Sequence, residues 1–352
     1  MYDQMSISSY RKGYTVNFRD LSNDLIEEIA KDSFLIIDSK VNNFYPHFRK
    51  IFDKEKIFIV ESTEKNKSLP YCQKMIGRLV EHGMKRNHRL VAVGGGIVQD
   101  ITGFIASILY RGVDWVFLPT TLLAQADSCI GSKTSINIGA IKNLVGTFYP
   151  PRQIYCCSQF RNTLSKKDIK SGIGEILHYY LIDNNEKMYE LVEQYEDLFK
   201  DRSKITGHIY ESLAIKKRMI IKDEFDENER KIFNYGHTFG HAIETLSQNE
   251  VPHGQAVTLG MDIANFVALQ FGHIDQATYD EMREILVKNI PDYKIKEEHI
   301  DLYMRILSKD KKNLDDSIVC ILPYSIGDMR VERVDNKKKM KKAIQKYVEL
   351  HK

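Results

Sequence analysis

No stretch of this 352-residue chain approaches the roughly 18 uninterrupted apolar residues of a membrane helix. The opening Met1 to Tyr14 has no apolar core of a secretory signal. The expectation is a soluble cytoplasmic protein without a membrane partner, in keeping with a mean hydropathy of −0.37. Cysteine is also scarce. The five (Cys72, Cys129, Cys156, Cys157 and Cys320) form an odd set with no C-x-x-C spacing, which argues against a disulfide framework and against a thiolate zinc site. A surplus of one charge is missing too, because 51 basic and 48 acidic residues are interspersed to a net +3. Without a broad cationic face, nucleic acid is not an expected partner. The one dense basic run, Lys337 to Lys342, reads as a solvated helix face.

What the chain does have is length and alternation. It is long for one hydrophobic core, and a prior of roughly 150 residues per domain gives two. The first half alternates β-branched apolar runs with amphipathic stretches, the habit of a parallel sheet covered by helices. Strands are expected at Phe34–Ile37, Ile57–Val60, Leu90–Val93 and Trp115–Leu118, and helices at Tyr71–His82 and Val98–Tyr110. After about Ser158 the period becomes helical, with segments at Asp168–Leu181, Ile205–Ile221, Gly254–Phe271 and Gln276–Lys288, and Ser317–Leu322 as a lone closing strand. The expected division is residues 1–160 as an α/β domain and 161–352 as a mainly α-helical one, abutting at a cleft.

Gly94-Gly95-Gly96 falls between a strand and a helix, where bare backbone can approach a pyrophosphate and a helix N-terminus favours negative charge. The triplet lacks the G-x-G-x-x-G spacing, and a tight turn with no ligand is a fair alternative reading. A polar cluster follows the next strand: Thr120, Thr121, Asp127, Lys133, Thr134, Lys142 and Asn143, in a segment poor in other charge. If buried, its lysines need compensation that an anionic ligand would supply; if exposed on loops, they need none. Arg111, beside Gly112, would add a cation at the same end of the sheet or reach a partner subunit.

The densest signal runs from Asn234 to Gly254. His237 and His241 are four residues apart and share a helix face, and His253 follows a break at Pro252. A metal clamped by two elements accounts for all three histidines, whereas an isolated i, i+4 pair would read as surface or core histidines.

Taken together, Gly94 to Asp100, Pro119 to Asp127, Lys133-Thr134, Gly139 to Gly146 and Gly236-His-Thr-Phe-Gly-His-Ala-Ile-Glu244 resemble 3-dehydroquinate synthase and its sugar phosphate cyclase relatives. The similarity spans Phe34 to Gly327. It implies a Rossmann-like N-terminal domain with a parallel sheet, a helical C-terminal domain, bound NAD, one zinc or cobalt ion and a homodimer. By this resemblance the metal ligands are Glu175, His237 and His253, and His241 becomes a phosphate-side or proton-transfer residue, which revises the i, i+4 pairing. Asp38, Glu64, Lys67, Gly95, Gly96, Asp100, Thr120 and Thr121 resemble the NAD-binding set. Asp127, Lys133, Asn143, Lys216, Arg230 and Asn234 resemble the substrate set. Arg111 reaches across the dimer, and Lys142 stands beside both groups. The Asp310-Lys311-Lys312 segment resembles a C-terminal phosphate-binding piece, with Lys309, Lys311 and Lys312 as its candidate contacts.

The implied reaction converts a phosphorylated sugar acid, 3-deoxy-D-arabino-heptulosonate 7-phosphate, into 3-dehydroquinate and phosphate. Transient oxidation by NAD, β-elimination, re-reduction and an intramolecular aldol closure leave NAD unchanged. Such a substrate calls for cations around phosphate and carboxylate, and Arg230 has the planar fork for the latter. Three positions depart from the family pattern: His178 stands where a substrate-touching lysine is usual, and Gln99 and Ser132 replace glycines. His178 keeps open a cyclase acting on sedoheptulose 7-phosphate or glucose 6-phosphate. A metal-dependent polyol dehydrogenase and a catalytically silent binding protein are also compatible with these residues.

Overall fold

The computed structural model describes residues 3–139, 141–308 and 317–351. In chain order the first part carries β1 (Gln4–Ile7), β2 (Tyr14–Asn17), α1 (Asn23–Ala30), β3 (Ser33–Asp38), α2 (Ser39–Phe44), α3 (His47–Ile51), β4 (Ile57–Val60), α4 (Leu69–Glu81), β5 (Arg89–Gly94), α5 (Gly96–Ile108), β6 (Trp115–Pro119), β7 (Lys133–Ile138), β8 (Ile141–Phe148) and β9 (Gln153–Tyr155). Then come α6 (Lys166–Asp183), α7 (Lys187–Glu193), α8 (Asp197–Lys200), α9 (Ile205–Lys222), α10 (His237–Leu246), α11 (His253–Phe271), α12 (Gln276–Leu286), α13 (Ile300–Ser308), β10 (Ile318–Ser325), β11 (Asp328–Val334) and α14 (Lys337–Leu350). Among the described residues no helix is long and apolar enough to cross a membrane.

The chain forms two compact units, Met1–Ser165 with Ile205–Phe225, and Lys166–Lys204 with Asp226–Lys352. The expected cut near residue 160 therefore misses one excursion, in which α9 belongs to the first unit. Its reason is polar: Ser212 Oγ donates to the Ala126 carbonyl at 2.8 Å, and Lys216 reaches Asp127.

The first unit is built on a seven-stranded sheet in the order β1-β2-β9-β6-β5-β3-β4, parallel except for β1. The four expected strands are its neighbours β6, β5, β3 and β4, of which β4 is the edge, and β3, β5 and β6 are buried on both faces. Leu35, Ile37, Val91, Val93, Val116 and Leu118 pack with α1 residues and Phe48 on one side, and the alternate residues Phe34, Ile36, Leu90, Ala92 and Phe117 are equally buried on the other. Continuous apolar runs are what a sheet covered on both faces requires. The short β1, β2 and β9 carry too little apolar pattern to be read from sequence, as does the β7–β8 hairpin, whose second strand is exposed throughout except at Thr147.

Among the described residues the second unit is helical apart from one hairpin. Ser317–Leu322 does not form the expected lone strand; instead β10 pairs antiparallel with β11. Gly327, at φ 84°, makes the reversal, and β11 escapes a hydrophobicity reading because Arg330 and Arg333 are exposed and Glu332 interrupts its apolar residues. At the centre of the unit α6, α10 and α11 touch through their backbones. A Cβ on Gly174 would lie 2.0 Å from the Gly254 carbonyl oxygen, one on Gly254 1.7 Å from that of Ser171, and one on Gly260 2.1 Å from that of Gly236. Only hydrogen fits at these three positions, and they set the distance between the helices.

Gly254→Ala is therefore expected to force α6 and α11 apart, at a cost of about 1–3 kcal/mol or more from overpacking. Gly77→Ala, on exposed α4 with nothing within 4 Å of the added carbon, should instead stabilise by about 0.5–1 kcal/mol. Urea unfolding of both variants reads the opposite signs.

Candidate functional site

Chain order places a switch point in the first unit. From β3 the chain moves outward to β4 and then crosses back to β5 on the other side of β3. Open α/β sheets bind ligands outside the carboxyl ends at such a reversal. Asp38 ends β3, where its carboxylate accepts the Lys40 and Val41 N–H groups and caps α2. Gly94 ends β5, Gly95 caps α5, and an added Cβ at Gly96 would meet nothing within 4 Å. Next door, β6 runs into Thr120 and Thr121. The Thr120 N–H donates to the Gly94 carbonyl, and Thr121 Oγ1 accepts from Ala124 N.

Beside the start of α5 lies a polar network. Lys67 Nζ is 2.5 Å from Asp100 Oδ2 and donates to Asn143 Oδ1 at 2.7 Å. Asp100 also accepts from the Ser135 N–H and hydroxyl, while Asn137 donates to Glu64 Oε2 and accepts from the Asn143 N–H. Burial holds the Asp100 carboxyl above the usual carboxylate range, with the Lys67 ammonium and Ser135 opposing. Glu64, Lys67, Asp100 and Asn143, all expected site residues, thus meet here, and Ser135 and Asn137, which sequence reasoning passed over, complete the network.

A second cluster sits at a widened π turn, Ala124–Ser128. Lys216, buried on α9, donates to both Asp127 Oδ1 at 2.7 Å and the Asp127 carbonyl at 2.8 Å. Lys133, Lys142 and Asn143 are exposed, and they lie on the strands β7 and β8 of the hairpin and not on loops. Ser132, in place of a glycine, has φ 65°, and its hydroxyl donates to Glu224 at 2.7 Å. The placement of Arg111 at the phosphate end of the sheet is corrected. Helix α5 runs back from Gly96 for 13 residues, about 20 Å, so Arg111 lies exposed toward the amino ends of the strands.

In the second unit the expected ligands converge. Glu175, 1% exposed, lies in the middle of α6, and His237 and His253 are the first residues of α10 and α11. Glu175 Oε1 is 3.2 Å from His253 Nε2 and 3.7 Å from His237 Nε2, yet it makes no hydrogen bond. One donor atom from each of the three lies within 4.8 Å of the others. Zinc bonds of about 2.0–2.2 Å in a tetrahedron put neighbouring donors about 3.3–3.6 Å apart, close to these separations. A buried, orphaned carboxylate oxygen facing two imidazole nitrogens fits a divalent cation on both chemistry and spacing.

The imidazoles are braced on their far sides. His237 Nδ1 is 3.2 Å from the Tyr235 carbonyl, and His253 Nδ1 is 3.2 Å from Glu244 Oε2. Burial, with the neighbouring imidazoles, holds His237 well below the ordinary histidine value against the pull of Glu175. Burial pushes His253 the same way, but the Glu175 and Glu244 carboxylates overcome it and hold that ring well above the ordinary value. His241 is exposed, its ring 5.5 Å from His237 and 5.7 Å from His253. His178, one turn after Glu175, is buried among Tyr179, Phe233, Tyr235 and His237, with Nδ1 3.7 Å from Glu175 Oε2. Arg230 is buried and Asn234 half-buried in the turn before α10. Glu244 is the residue that sequence reasoning left without a role, although it stands seven after His237 and so on the same helix face. Lys309, Lys311 and Lys312 lie outside the described residues.

Comparison with known proteins agrees with this geometry. Residues 57–171 match the family described as 3-dehydroquinate synthase N-terminal, and residues 172–313 match 3-dehydroquinate synthase C-terminal. The chain is 36% identical over 321 residues to the 3-dehydroquinate synthase of Clostridium tetani, covering 90% of this chain and 86% of the relative. It is 39% identical over 308 residues to that of Dictyoglomus turgidum, covering 86% and 85%. Among solved structures, 2-deoxy-scyllo-inosose synthase complexed with carbaglucose-6-phosphate, NAD+ and Co2+ superposes with a TM-score of 0.85 at 23% identity, over 97% of this chain and 99% of that one. The 2-epi-5-epi-valiolone synthase of Streptomyces hygroscopicus, with NAD+ and Zn2+ bound, gives 0.84 at 22%, over 98% and 99%. A probable glycerol dehydrogenase from Sinorhizobium meliloti gives only 0.58 at 14%, over 93% and 94%. At these identities the structures establish the fold.

Lys67→Met is expected to cost about 2–3 kcal/mol at neutral pH, the low end for a broken buried pair, because 17% of the Asp100 side chain stays exposed. Without the ammonium, the Asp100 carboxyl rises further above its unfolded value, so protonation favours the folded state and the penalty shrinks as pH falls. Urea unfolding at pH 7 and at about pH 5 reads both the loss and its sign.

Proposed function

This chain belongs to the 3-dehydroquinate synthase family, and on that premise we propose that it converts 3-deoxy-D-arabino-heptulosonate 7-phosphate to 3-dehydroquinate and inorganic phosphate with NAD and one divalent ion, zinc or cobalt. The single observation that carries the reading is Glu175 Oε1, buried, without a hydrogen bond, and close to the Nε2 atoms of two histidines. Three protein donors leave coordination positions open for substrate, as a catalytic site requires.

Glu175, His237 and His253 hold the ion. Asp38, Glu64, Lys67, Gly95, Gly96, Asp100, Thr120, Thr121, Lys133 and Lys142 serve the dinucleotide, supported by the switch point at which Asp38 ends β3 and Gly95 and Gly96 follow the end of β5. When bound, the ion would supply Lewis-acid polarisation of a substrate hydroxyl and NAD would supply a reversible hydride acceptor. The chain's own residues position and neutralise. Arg230 offers its planar fork to the substrate carboxylate, and its burial gives that pairing strength that an exposed arginine lacks. Departure of phosphate gathers negative charge on its oxygens, which Lys133 and His241 meet with cations or a proton. Lys216, its ammonium fixed by Asp127, and the Asn143 and Asn234 amides hold hydroxyls in place. His178 replaces a long flexible lysine with a short ring packed against Glu175, so it bears on the ion's carboxylate ligand as well as on substrate. A homodimer in which Arg111 serves the partner's site is part of the same proposal, supported by the exposure of that residue.

His178 is also the observation that favours a second substrate among sugar phosphates, and one assay decides. Purified protein with NAD and zinc should release phosphate from the seven-carbon keto acid phosphate with no build-up of NADH absorbance. Faster release from sedoheptulose 7-phosphate or glucose 6-phosphate would move the protein to another cyclase activity. Lasting NADH would make it a polyol dehydrogenase, and metal and NAD retained without turnover a silent binder. Glu175→Ala, His237→Ala and His253→Ala should each lose both metal and turnover, whereas His241→Ala should keep the metal and lose turnover by about 10²–10⁴-fold. Elemental analysis of the purified variants reads the metal.

A further inference from the structure

Resting on the metal reading above, we propose that Glu244 is a positioning residue for the ion, acting through the far side of the His253 ring. His253 has two ring nitrogens with opposed tasks. Nε2 faces Glu175 Oε1 at 3.2 Å, and Nδ1 faces Glu244 Oε2 at the same distance. An imidazole can give a lone pair to a metal from one nitrogen only while the other carries the proton, and a carboxylate at Nδ1 selects that tautomer. Glu244 therefore fixes both the identity and the direction of the donating atom.

The helix geometry makes this bracing specific. His237 and Glu244 are seven residues apart on α10, two turns along one face, so the helix that supplies one ligand also supplies the brace for the ligand on α11. The contact between α10 and α11 is itself fixed, because the Gly240 and Gly260 backbones allow no side-chain carbon between them. Glu244 can thus hold His253 at a constant distance from His237. The two ligands are braced differently. His237 Nδ1 meets a neutral backbone carbonyl, that of Tyr235, whereas His253 Nδ1 meets a carboxylate. A carboxylate raises the basicity of the ring it holds and makes His253 the stronger donor. It would also bring a second negative charge beside a dication whose one anionic protein ligand is Glu175, the two carboxylates together matching the ion's charge.

One rival arrangement uses the same atoms. His241, Glu244 and His253 also offer donor atoms within 4.8 Å of one another, and Glu244 could in principle hold a second cation there. Sharing His253 between two cations would require stripping the Nδ1 proton that the carboxylate holds, which is why the brace is the preferred assignment.

The test compares wild-type protein with Glu244→Gln, Glu244→Ala and Glu175→Ala, each stripped of metal and titrated with Zn2+ against a chromophoric chelator. Wild type should bind one ion per chain, and Glu175→Ala should bind none, which would establish the underlying reading independently. Glu244→Ala should bind one ion about 10–100-fold more weakly, and Glu244→Gln, which keeps an acceptor of the same reach but no charge, should fall between. The Co2+-substituted protein should show an altered visible absorption in Glu244→Ala, a change that general loss of stability would not produce. Unfolding midpoints of the metal-free forms report folding; if Glu244→Ala does not fold, the isosteric Gln variant carries the comparison. Unchanged affinity in both Glu244 variants overturns the proposal. So does a wild-type stoichiometry of two that drops to one in Glu244→Ala while the tighter ion keeps its affinity.

Discussion

The meeting of α6, α10 and α11 is arranged around a carboxylate taken out of water. Glu175 is almost wholly buried, and its Oε1 has no hydrogen bond. Removing an ionised carboxylate from solvent costs several kcal/mol unless an opposite charge meets it. No lysine or arginine forms a described ion pair with it; its near neighbours are His178, His237 and His253. Two of those present ring nitrogens at the spacing of donors around a small cation. The glycine contacts serve this arrangement. Gly174 and Gly254 let α6 and α11 approach until Glu175 and His253 meet, and Gly236 and Gly260 do the same for His237. Packing and the placing of these three side chains are one constraint here: a methyl group at the helix contact would move them as surely as a change in the side chains themselves.

The sheet unit follows a different rule. Its polar groups lie at the carboxyl ends of parallel strands, where the strand order reverses, and are held by short hydrogen bonds to backbone. Lys67, Asp100, Ser135 and Asn143 form a network whose charges compensate one another, and Lys216 and Asp127 do likewise at the π turn. Such pairs fix the direction of each group before any ligand arrives. That is preorganisation in the sense that matters for a reaction limited by positioning.

Much of this is legible in the sequence, for physical reasons that can be named. The central strands Phe34–Ile37, Leu90–Val93 and Trp115–Leu118 are apolar on both faces because helices cover both faces, so even short runs announce themselves. Helix α11 begins at His253 because Pro252 sets its start, and that break is visible in the chain. What cannot be read locally is which two of the three histidines share a face with a carboxylate some sixty residues earlier. Local spacing pairs His237 with His241, while in the fold His241 is exposed and Glu175 lies beside His237 and His253. The outward charges of β11 hide a strand, and the excursion of α9 into the first unit depends on Lys216 finding Asp127, a pairing across 89 residues. Glu244 escapes notice because a glutamate on a helix is ordinarily a solvated residue.

The most direct test of the central claim is diffraction from crystals of the protein grown with zinc, with anomalous data collected on either side of the zinc absorption edge. One strong peak is expected, within about 2.0–2.2 Å of Glu175 Oε1, His237 Nε2 and His253 Nε2. A structure in which these three side chains point apart, or in which the anomalous peak falls elsewhere, would contradict it.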